Sequence, residues 1–291
     1  DLWLNESFTS YVENRIVEAV FGVDQAQMDQ VVGQQELLAE MKELPEKDQH
    51  LVLDLAGRDP DEAFSGVPYQ KGEWMLRTLE QRFGRDKFDA VVRAWFDEHA
   101  FQSVSTEQFL DFFGTRLLDA KDAPIHRADL DPWLHQPGVP KSALLAHSAK
   151  LEAIDGALAD FVAGKKDAAA LNAKTWVTAE WVHFLNGYSE QANAKQMADL
   201  DANYGLTQRR NREITMRWFL AGIRADYAPM RDALRAHLIE IGRRKLMMPL
   251  WSELAKTPAN KAWAIEVYKT ARSGLHPIAQ NSVDATLGLK P

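Results

Sequence analysis

Residues 1–21, DLWLNESFTSYVENRIVEAVF, carry a periodic pattern that indicates how the first part of the chain folds. The apolar residues recur every three or four positions, which is the spacing of one face of an α-helix. They are Leu4, Phe8, Tyr11, Val12, Ile16 and Val20. Gly22 follows and is a typical helix stop. The pattern therefore predicts a helix over residues 3–21 that buries one face.

The same periodicity recurs along most of the sequence and predicts a mainly α protein. Further helices are expected at residues 25–41, 69–83, 86–98, 105–118, 143–163, 174–185, 190–200, 210–225, 229–242, 247–255 and 261–271. The segment LVLDL at residues 51–55 is short and apolar, so a strand or an extended turn is expected there. Gly84 is expected to end one helix, and Ser105 is expected to cap the start of another.

A break in the periodicity divides the chain into two domains. Residues 133–141 read WLHQPGVPK, where two prolines and a glycine interrupt the helical patterns on both sides. We therefore expect a first domain at residues 1–134, a linker at 135–140 and a second domain at 141–291. The second domain has the helical pattern of a bundle or a solenoid, without a fixed repeat period.

Composition excludes several classes of protein. The formal charge of −8 argues against a general binder of nucleic acids or anionic membranes, and no apolar run approaches the length of a membrane span. Because the sequence contains no cysteine, disulfides, thiolate zinc sites and a cysteine nucleophile are excluded. The chain opens on Asp1 and reads as an internal part of a longer protein. We therefore expect a soluble protein and leave its compartment, cytoplasmic or periplasmic, open.

Two segments of the first domain combine residue types that can carry chemistry. Glu6 lies among apolar and aromatic residues, where an ionised carboxylate needs a cation or a metal ion as partner. The alternative is a solvated glutamate near a helix start. Tyr69 follows Pro68 where a helix is predicted to begin. That position suits either core packing or a hydrogen-bond donor aimed at a developing oxyanion.

A third segment, Gly-Arg-Arg-Lys at residues 242–245, lies in the second domain. Arg243 and Lys245 could together hold a carboxylate, the arginine through a two-pronged contact and the lysine as a point charge. The alternative is a solvated last turn of a helix, where cations interact with the helix dipole. Composition alone favours that alternative.

At these three places the sequence resembles the M1 family of zinc aminopeptidases, and more closely its leukotriene A4 hydrolase and aminopeptidase B branch. The matching segments are Trp-Leu-Asn-Glu at 3–6, Val-Pro-Tyr-Gln-Lys-Gly at 67–72 and Gly-Arg-Arg-Lys at 242–245. The resemblance implies the helical C-terminal part of a thermolysin-like catalytic domain, followed by an α-helical, solenoid-like domain. It also implies removal of N-terminal residues from short peptides at a single zinc ion.

The resemblance further implies roles for individual residues. Glu6 matches a zinc ligand, Glu13 matches a nearby carboxylate that orients a ligand, and Tyr69 matches the residue that stabilises the tetrahedral intermediate. Arg243 and Lys245 match cations that hold the carboxylate of a peptide or a fatty acid.

Three other positions bear on the range of substrates. Asp61 falls on the acidic position linked to epoxide hydrolysis in the leukotriene enzymes, which implies a weak epoxide hydrolase activity. Phe64 departs from the tyrosine expected beside it, and Gln70 departs from the commoner glutamate.

The remaining zinc ligands of that family lie in an H-E-x-x-H motif. None of the eight histidines here, from His50 to His276, has a second histidine four residues away. We therefore expect this part of the protein to lack a complete zinc site, to be inactive alone, and to depend on a missing N-terminal half as its partner. The alternative function is a non-catalytic helical module for protein interaction, because the second domain has solenoid-like patterning.

Overall fold

The structure, a computed structural model, describes residues 1–289 apart from the side chain of Glu62. The chain divides into two compact units, Asp1–Ser148 and Ala149–Pro291. Across the described residues all regular secondary structure is helical, which confirms the prediction of a mainly α protein.

The first unit is built from α-helices that are joined by short helical turns. The helices are α1 (Leu2–Phe21), α2 (Val23–Glu40), α3 (Gly72–Phe83), α4 (Arg85–Glu98), α5 (Thr106–Phe113) and α6 (Asp131–His135). One turn of π-helix at Val67–Lys71 leads into α3, and another at Gly114–Leu118 extends α5. The helices predicted at 3–21, 25–41 and 86–98 are confirmed to within a few residues at each end.

The helix ends follow signals in the local sequence. Gly22 and Gly84 end α1 and α3 with φ angles of 92° and 83°, a region of backbone conformation that favours glycine. Ser105 caps α5, because its hydroxyl accepts from the backbone N–H of Gln108 while the Gln108 side chain accepts from the Ser105 N–H. Both predictions, the stop at Gly84 and the cap at Ser105, are confirmed.

Aromatic side chains of α1, α4 and α5 form much of the core of the first unit. Trp3 packs edge-on against Phe109 with ring centroids 5.1 Å apart, and Phe8 packs against Phe113 at 6.3 Å. The Trp3 indole also donates a hydrogen bond to Thr106 Oγ1 at 2.9 Å. Because these rings are almost fully buried, the start of α1 is held firmly against α5.

The strand considered for residues 51–55 is wrong. The segment is irregular, and the Val52 N–H donates a single backbone hydrogen bond to the Leu134 carbonyl at 3.0 Å rather than forming a ladder. Leu51 is buried in the core. The apolar run therefore anchors a loop onto the first unit, and it resembles a strand only in composition.

The chain after α6 remains attached to the first unit. The Trp74 indole donates to the Leu144 carbonyl at 2.7 Å, and the Ala146 N–H donates to Gln34 Oε1 at 3.0 Å. These contacts explain why the helix predicted at 143–163 begins only at Ala149. The linker placed at residues 135–140 stays a prediction, and the compact unit extends beyond it to Ser148.

The second unit is a set of short helices around an aromatic and aliphatic core. The helices are α7 (Ala149–Val162), α8 (Thr178–Tyr188), α9 (Ala194–Tyr204), α10 (Arg212–Arg224), α11 (Arg231–Glu240), α12 (Arg244–Ala255), α13 (Pro258–Ala271) and α14 (Pro277–Leu287). The sequence did not predict α14. Fully buried rings include Trp181, Trp218 and Trp251. Over the part of the chain that the structure describes, no helix has both the length and the apolar character to cross a membrane.

Candidate active site

Glu6 lies in the second turn of α1, between core positions and solvent. Its side chain is half-buried, and the Asn5 amide donates to Glu6 Oε1 at 3.3 Å. A carboxylate accepts several hydrogen bonds, so one long contact with a neutral amide leaves capacity for another ligand. The position is thus compatible with a carboxylate that binds a cation.

Tyr69 lies in the π-helical turn Val67–Lys71, which packs directly against α1. The Ser7 hydroxyl donates to the Pro68 carbonyl at 2.7 Å, and Ser7 is fully buried. Gly72 approaches Ser7 so closely that a Cβ on this glycine would overlap the Ser7 hydroxyl. The structure therefore joins two of the sequence-predicted segments, since Ser7 follows Glu6 and Pro68 precedes Tyr69.

Contacts on other sides also hold this turn. The Gly66 N–H donates to Glu40 Oε2 at 2.9 Å, and the Gln70 side chain lies against Gly33 of α2 where a Cβ would overlap it. The half-buried Tyr69 is thus carried on backbone that is tied to both α1 and α2.

Lys71 ties the same turn to two loops of the first unit. Its fully buried ammonium donates to the Gln49 carbonyl at 2.9 Å and to the Gln136 carbonyl at 2.8 Å. Burial lowers the pKa of Lys71 to about 7, because the charged form loses its hydration. Lys71 was not singled out from the sequence, because lysine is usually a surface residue.

A row of buried charged groups follows on α3. Arg77 Nε lies 3.5 Å from Glu73 Oε1, and Glu80 accepts a hydrogen bond from the Tyr11 hydroxyl at 2.7 Å. Burial raises the pKa of Glu73 to about 7, with Arg77 opposing the rise and Glu80 adding to it. Burial also lowers the pKa of Arg77. Arg15 reaches the same row, 3.6 Å from Glu80. This polar row lies within the core rather than on a solvated face.

Glu13 is exposed on α1 and borders an open groove of about 490 Å³. The groove is lined by side chains of α1 from Leu4 to Val17 and by Phe96. Burial, and to a smaller extent the Glu13 charge, raises the pKa of Asp29 on α2. Glu13 thus shares the groove with Asn5, the residue whose amide contacts Glu6.

Asp61 and Phe64 lie at an exposed turn, 3₁₀-helix Pro60–Ala63. The Asp59 side chain caps this turn by accepting from the Asp61 N–H at 3.0 Å. Phe64 is 51% exposed, although large aromatic residues are mostly buried. The carboxylate of Asp61 is therefore open to solvent.

Arg243 and Lys245 lie at the start of α12 and not at the end of a helix. Helix α11 ends at Glu240, and Arg243 is the residue that precedes the first turn of α12. The alternative of a solvated last helical turn is therefore wrong. A helix start repels cations rather than stabilising them, so dipole complementarity does not explain these basic residues.

The two cations of this segment differ in their contacts. Lys245 Nζ lies 3.5 Å from Glu213 Oε1 on α10. Burial opposes the ionised form of Glu213, but Lys245 and Arg217 outweigh it and lower the pKa of that carboxyl. Arg243 is exposed, and within residues 1–289 no hydrogen bond or ion pair joins it to another side chain. Its guanidinium can therefore bind an anion without first releasing a protein partner.

The residues that could hold a metal ion are few. Among residues 1–289, no three His, Cys, Asp or Glu side chains come together in a way that could bind one. Glu6 has the chemistry and the exposure of a single carboxylate ligand, and a zinc site needs at least three protein ligands. The described residues thus fit part of a zinc site.

Ser7, Lys71 and Glu73 are features of the site that the sequence did not predict. One signal was available for Ser7, which lies one turn from Trp3 and beside Phe8 on the buried face of α1. A small polar side chain on such a face leaves room for a neighbouring backbone and needs a hydrogen-bond partner when buried. The partners of Lys71 and Glu73 depend on tertiary packing that carries no local signal.

Comparison with protein families divides the chain between two family models. Residues 1–133 match the peptidase family M1 domain, and residues 176–287 match the leukotriene A4 hydrolase C-terminal domain. Each match falls within one of the two compact units.

Individual proteins give the same result. Leucine aminopeptidase 2 of Ajellomyces capsulatus is 32% identical over 98% of this chain and 47% of its own length. A leukotriene A-4 hydrolase homolog of Botryotinia fuckeliana is 27% identical over 98% of this chain and 45% of its own length. The chain thus spans about half the length of the curated relatives it matches.

Solved structures of yeast leukotriene A4 hydrolase share the fold. The complex with bestatin superposes with a TM-score of 0.86 at 24% identity, and the native enzyme with 0.81 at 26% identity. Both superpositions cover 99% of this chain and 50% of the yeast chain. On the two family matches, the first unit belongs to peptidase family M1 and the second unit carries a leukotriene A4 hydrolase C-terminal domain.

Proposed function

We propose that this chain supplies one side of the active site of a zinc aminopeptidase, which removes N-terminal residues from short peptides when the protein is full length. The observation that carries this proposal is the contact between the Glu6 and Tyr69 segments. The Ser7–Pro68 hydrogen bond of 2.7 Å joins the residue after a candidate metal ligand to the residue before a candidate oxyanion donor. The leucine aminopeptidase relatives, which match 98% of the chain, support the reaction class.

Glu6 would bind the zinc ion through its carboxylate, and Glu13 would orient the metal site from the groove that it shares with Asn5. When bound, zinc supplies a Lewis acid that polarises a carbonyl and a water molecule. Two further ligands must come from outside the described residues, because these offer no group of three. We therefore expect the 291-residue chain alone to bind zinc weakly and to be inactive.

Tyr69 would donate its hydroxyl hydrogen to the carbonyl oxygen of the peptide bond as negative charge develops there. Such a donor stabilises the transition state more than the substrate, so it raises the rate more than the affinity. The tied turn around Tyr69 suits this role, because a donor that is already oriented needs no reorganisation during the reaction.

Arg243 and Lys245 would hold the C-terminal carboxylate of a short peptide. The exposed Arg243 offers the planar fork that matches a carboxylate, and Lys245 adds a point charge. We also propose a weak epoxide hydrolase activity through Asp61, whose exposure gives a carboxylate access to solvent and substrate. The aromatic but non-hydroxylated Phe64 argues that this second activity is small.

The exposed face of α1 supports the proposed partner, which is the remaining half of a full-length protein. Large apolar side chains stand in solvent along this face and at the start of α2. They are Val12, Ile16, Val20, Phe21 and Val23. Such a continuous apolar surface is unfavourable in water and indicates a packing partner. Relatives about twice as long as this chain contain enough polypeptide to cover it.

Metal content and activity of the full-length protein test the proposal. Glu6→Gln should lose most of its zinc and its hydrolysis of aminoacyl amides together. Glu18→Gln is the matched control on α1, because Glu18 pairs with Arg85 at 2.7 Å on the surface and should leave both unchanged. If the wild type lacks zinc-dependent hydrolysis, the non-catalytic interaction module becomes the better interpretation. If Glu6→Gln keeps its zinc, Glu6 is not a ligand.

A further inference from the structure

We infer that Ser7 is a positioning residue, which sets the placement of Tyr69 relative to Glu6 through its hydrogen bond to the Pro68 carbonyl. This inference rests on the proposed function, since it assigns to Ser7 an effect on the Tyr69 donor. Ser7 itself is fully buried and would not touch substrate or metal.

Two independent contacts define the joint between α1 and the turn. The Ser7 hydroxyl donates to the Pro68 carbonyl at 2.7 Å, which is a short hydrogen bond between the residues next to Glu6 and Tyr69. The second contact is steric, because Gly72 leaves no room between its own Cα and the Ser7 side chain. The hydrogen bond fixes the orientation of the turn relative to α1, and the close packing fixes the distance between them.

The position admits few other side chains. An alanine would keep the packing but would leave the Pro68 carbonyl without its donor from α1. A larger side chain would push Gly72 and the start of α3 away, because the hydroxyl already fills the available space. Ser7 is therefore matched to this joint in both size and hydrogen bonding.

The remaining contacts of the turn do not replace this joint. Glu40 holds the Gly66 N–H from α2, and Lys71 holds the loops at Gln49 and Gln136. These contacts restrain the two ends of the turn against α2 and the loops. Of these hydrogen bonds, the Ser7 contact comes from the helix that bears Glu6.

Hydrogen exchange of the 291-residue chain tests the joint without using activity. Ser7→Ala should raise the exchange rate of the amides at residues 69–72 by about tenfold, the effect of one buried hydrogen bond. Ser10→Ala is the matched control, since Ser10 is buried on the same helix and its hydroxyl hydrogen-bonds no described residue. Equal exchange of residues 69–72 in the two variants would overturn the proposed joint.

Kinetics of the full-length enzyme test the effect on Tyr69. Ser7→Ala should lower kcat by about tenfold while KM and zinc content stay unchanged, because a misplaced donor weakens only the transition state. In the Tyr69→Phe background the same substitution should lower kcat less than about twofold, since the donor is already absent. A similar loss of rate in both backgrounds would mean that Ser7 acts through general stability.

The outcomes separate this inference from the proposed function. If Tyr69→Phe and Glu6→Gln leave activity intact, the proposed function fails, whatever Ser7→Ala does. If those two variants are impaired and Ser7→Ala retains normal kcat, the proposed function stands and the role of Ser7 is rejected.

Discussion

The turn around Tyr69 and the segment around Arg243 each carry a candidate functional residue just before a helix, but they differ in burial and in how they are held. The turn around Tyr69 packs into the first unit, and hydrogen bonds of Ser7, Glu40 and the Lys71 ammonium hold it there. The second is exposed; Lys245 pairs with Glu213 at 3.5 Å, and Arg243 has no side-chain partner within residues 1–289.

This difference agrees with the chemistry proposed for the two places. A donor to a developing oxyanion is effective only when its position is fixed before the reaction, so a rigid buried turn suits it. A cation that binds the carboxylate of different peptides needs access and some freedom, so an exposed helix start suits it. We therefore expect substitutions near the turn to change stability and rate, and substitutions near Arg243 to change recognition.

The largest expected effect is a pH dependence of the first unit through Glu73. Its pKa rises from 4.5 to about 7 on folding because of burial. The folded state therefore holds the proton more tightly. The resulting stability, about 3 kcal/mol, is fully present below pH 4.5 and is lost as the pH rises towards 7. Hydrogen exchange of α3 between pH 4.5 and about 6.5, below the lowered pKa of Lys71 of about 7, measures it after correction for intrinsic exchange rates.

Glu73→Gln provides the control for this pH effect, since it keeps the shape of the side chain and removes the titration. The variant should show a nearly flat free energy of opening over the same range. An equally steep decline would assign the pH dependence to another group. Arg243→Gln in the exposed segment should leave the profile of the wild type unchanged.

Two glycines give a matched comparison of packing in the two regions. Gly72→Ala should destabilise the first unit by about 2 kcal/mol, because the new Cβ would overlap the Ser7 hydroxyl. Gly242→Ala should change stability by less than about 0.5 kcal/mol, since its Cβ would lie 3.7 Å from Leu275, an ordinary contact. Urea unfolding of the 291-residue chain measures both. Similar costs would contradict the proposed contrast in packing.

Removal of Arg243 should alter recognition in the full-length enzyme. Arg243→Ala should lower kcat/KM for a free tripeptide by about tenfold or more, because one charge-assisted contact to its carboxylate is lost. The C-terminally amidated twin of that peptide should be affected much less. Arg243→Lys should restore only part of the difference, since an ammonium lacks the planar fork. An unchanged preference for the free acid would exclude Arg243 from carboxylate binding.

The smallest expected effect concerns Lys245. Lys245→Met removes its ion pair with Glu213, in which the lysine side chain is 47% exposed. Exposed pairs contribute little, so thermal unfolding should show a change in stability below about 1 kcal/mol. Arg217 still pairs with Glu213 at 3.0 Å in the variant. A loss of several kcal/mol would mean that the second segment is as tightly integrated as the first.

Local signals in the sequence predicted much of the helical fold. The apolar spacing in residues 1–21 and the stop at Gly22 predicted α1, and Ser105 predicted the start of α5. The strand considered at residues 51–55 failed because a short apolar run indicates burial but not partners. Helix α14 was not predicted, although Pro277 at its first position is a typical signal of a helix start.

The sequence indicated the candidate residues of the site, but it did not indicate the contacts that hold them in place. Glu6 and Tyr69 stand in short recognisable segments, so the sequence indicated both. Their connection through Ser7 joins residues 61 positions apart, and Lys71 reaches a carbonyl 65 positions away. No local pattern encodes such pairings. For Arg243, the basic cluster was visible, but the sequence suggested a helix end where the structure has a helix start.

The rate of Tyr69→Phe in the full-length, zinc-loaded enzyme tests the central claim most directly. The variant keeps the ring and removes the hydroxyl, so the turn should remain folded. We predict that kcat for an aminoacyl amide falls by about 100-fold or more while zinc content is unchanged and KM changes little, as expected for loss of one oxyanion donor. A kcat within about twofold of the wild type, at normal zinc content, would contradict the account and assign Tyr69 to packing alone.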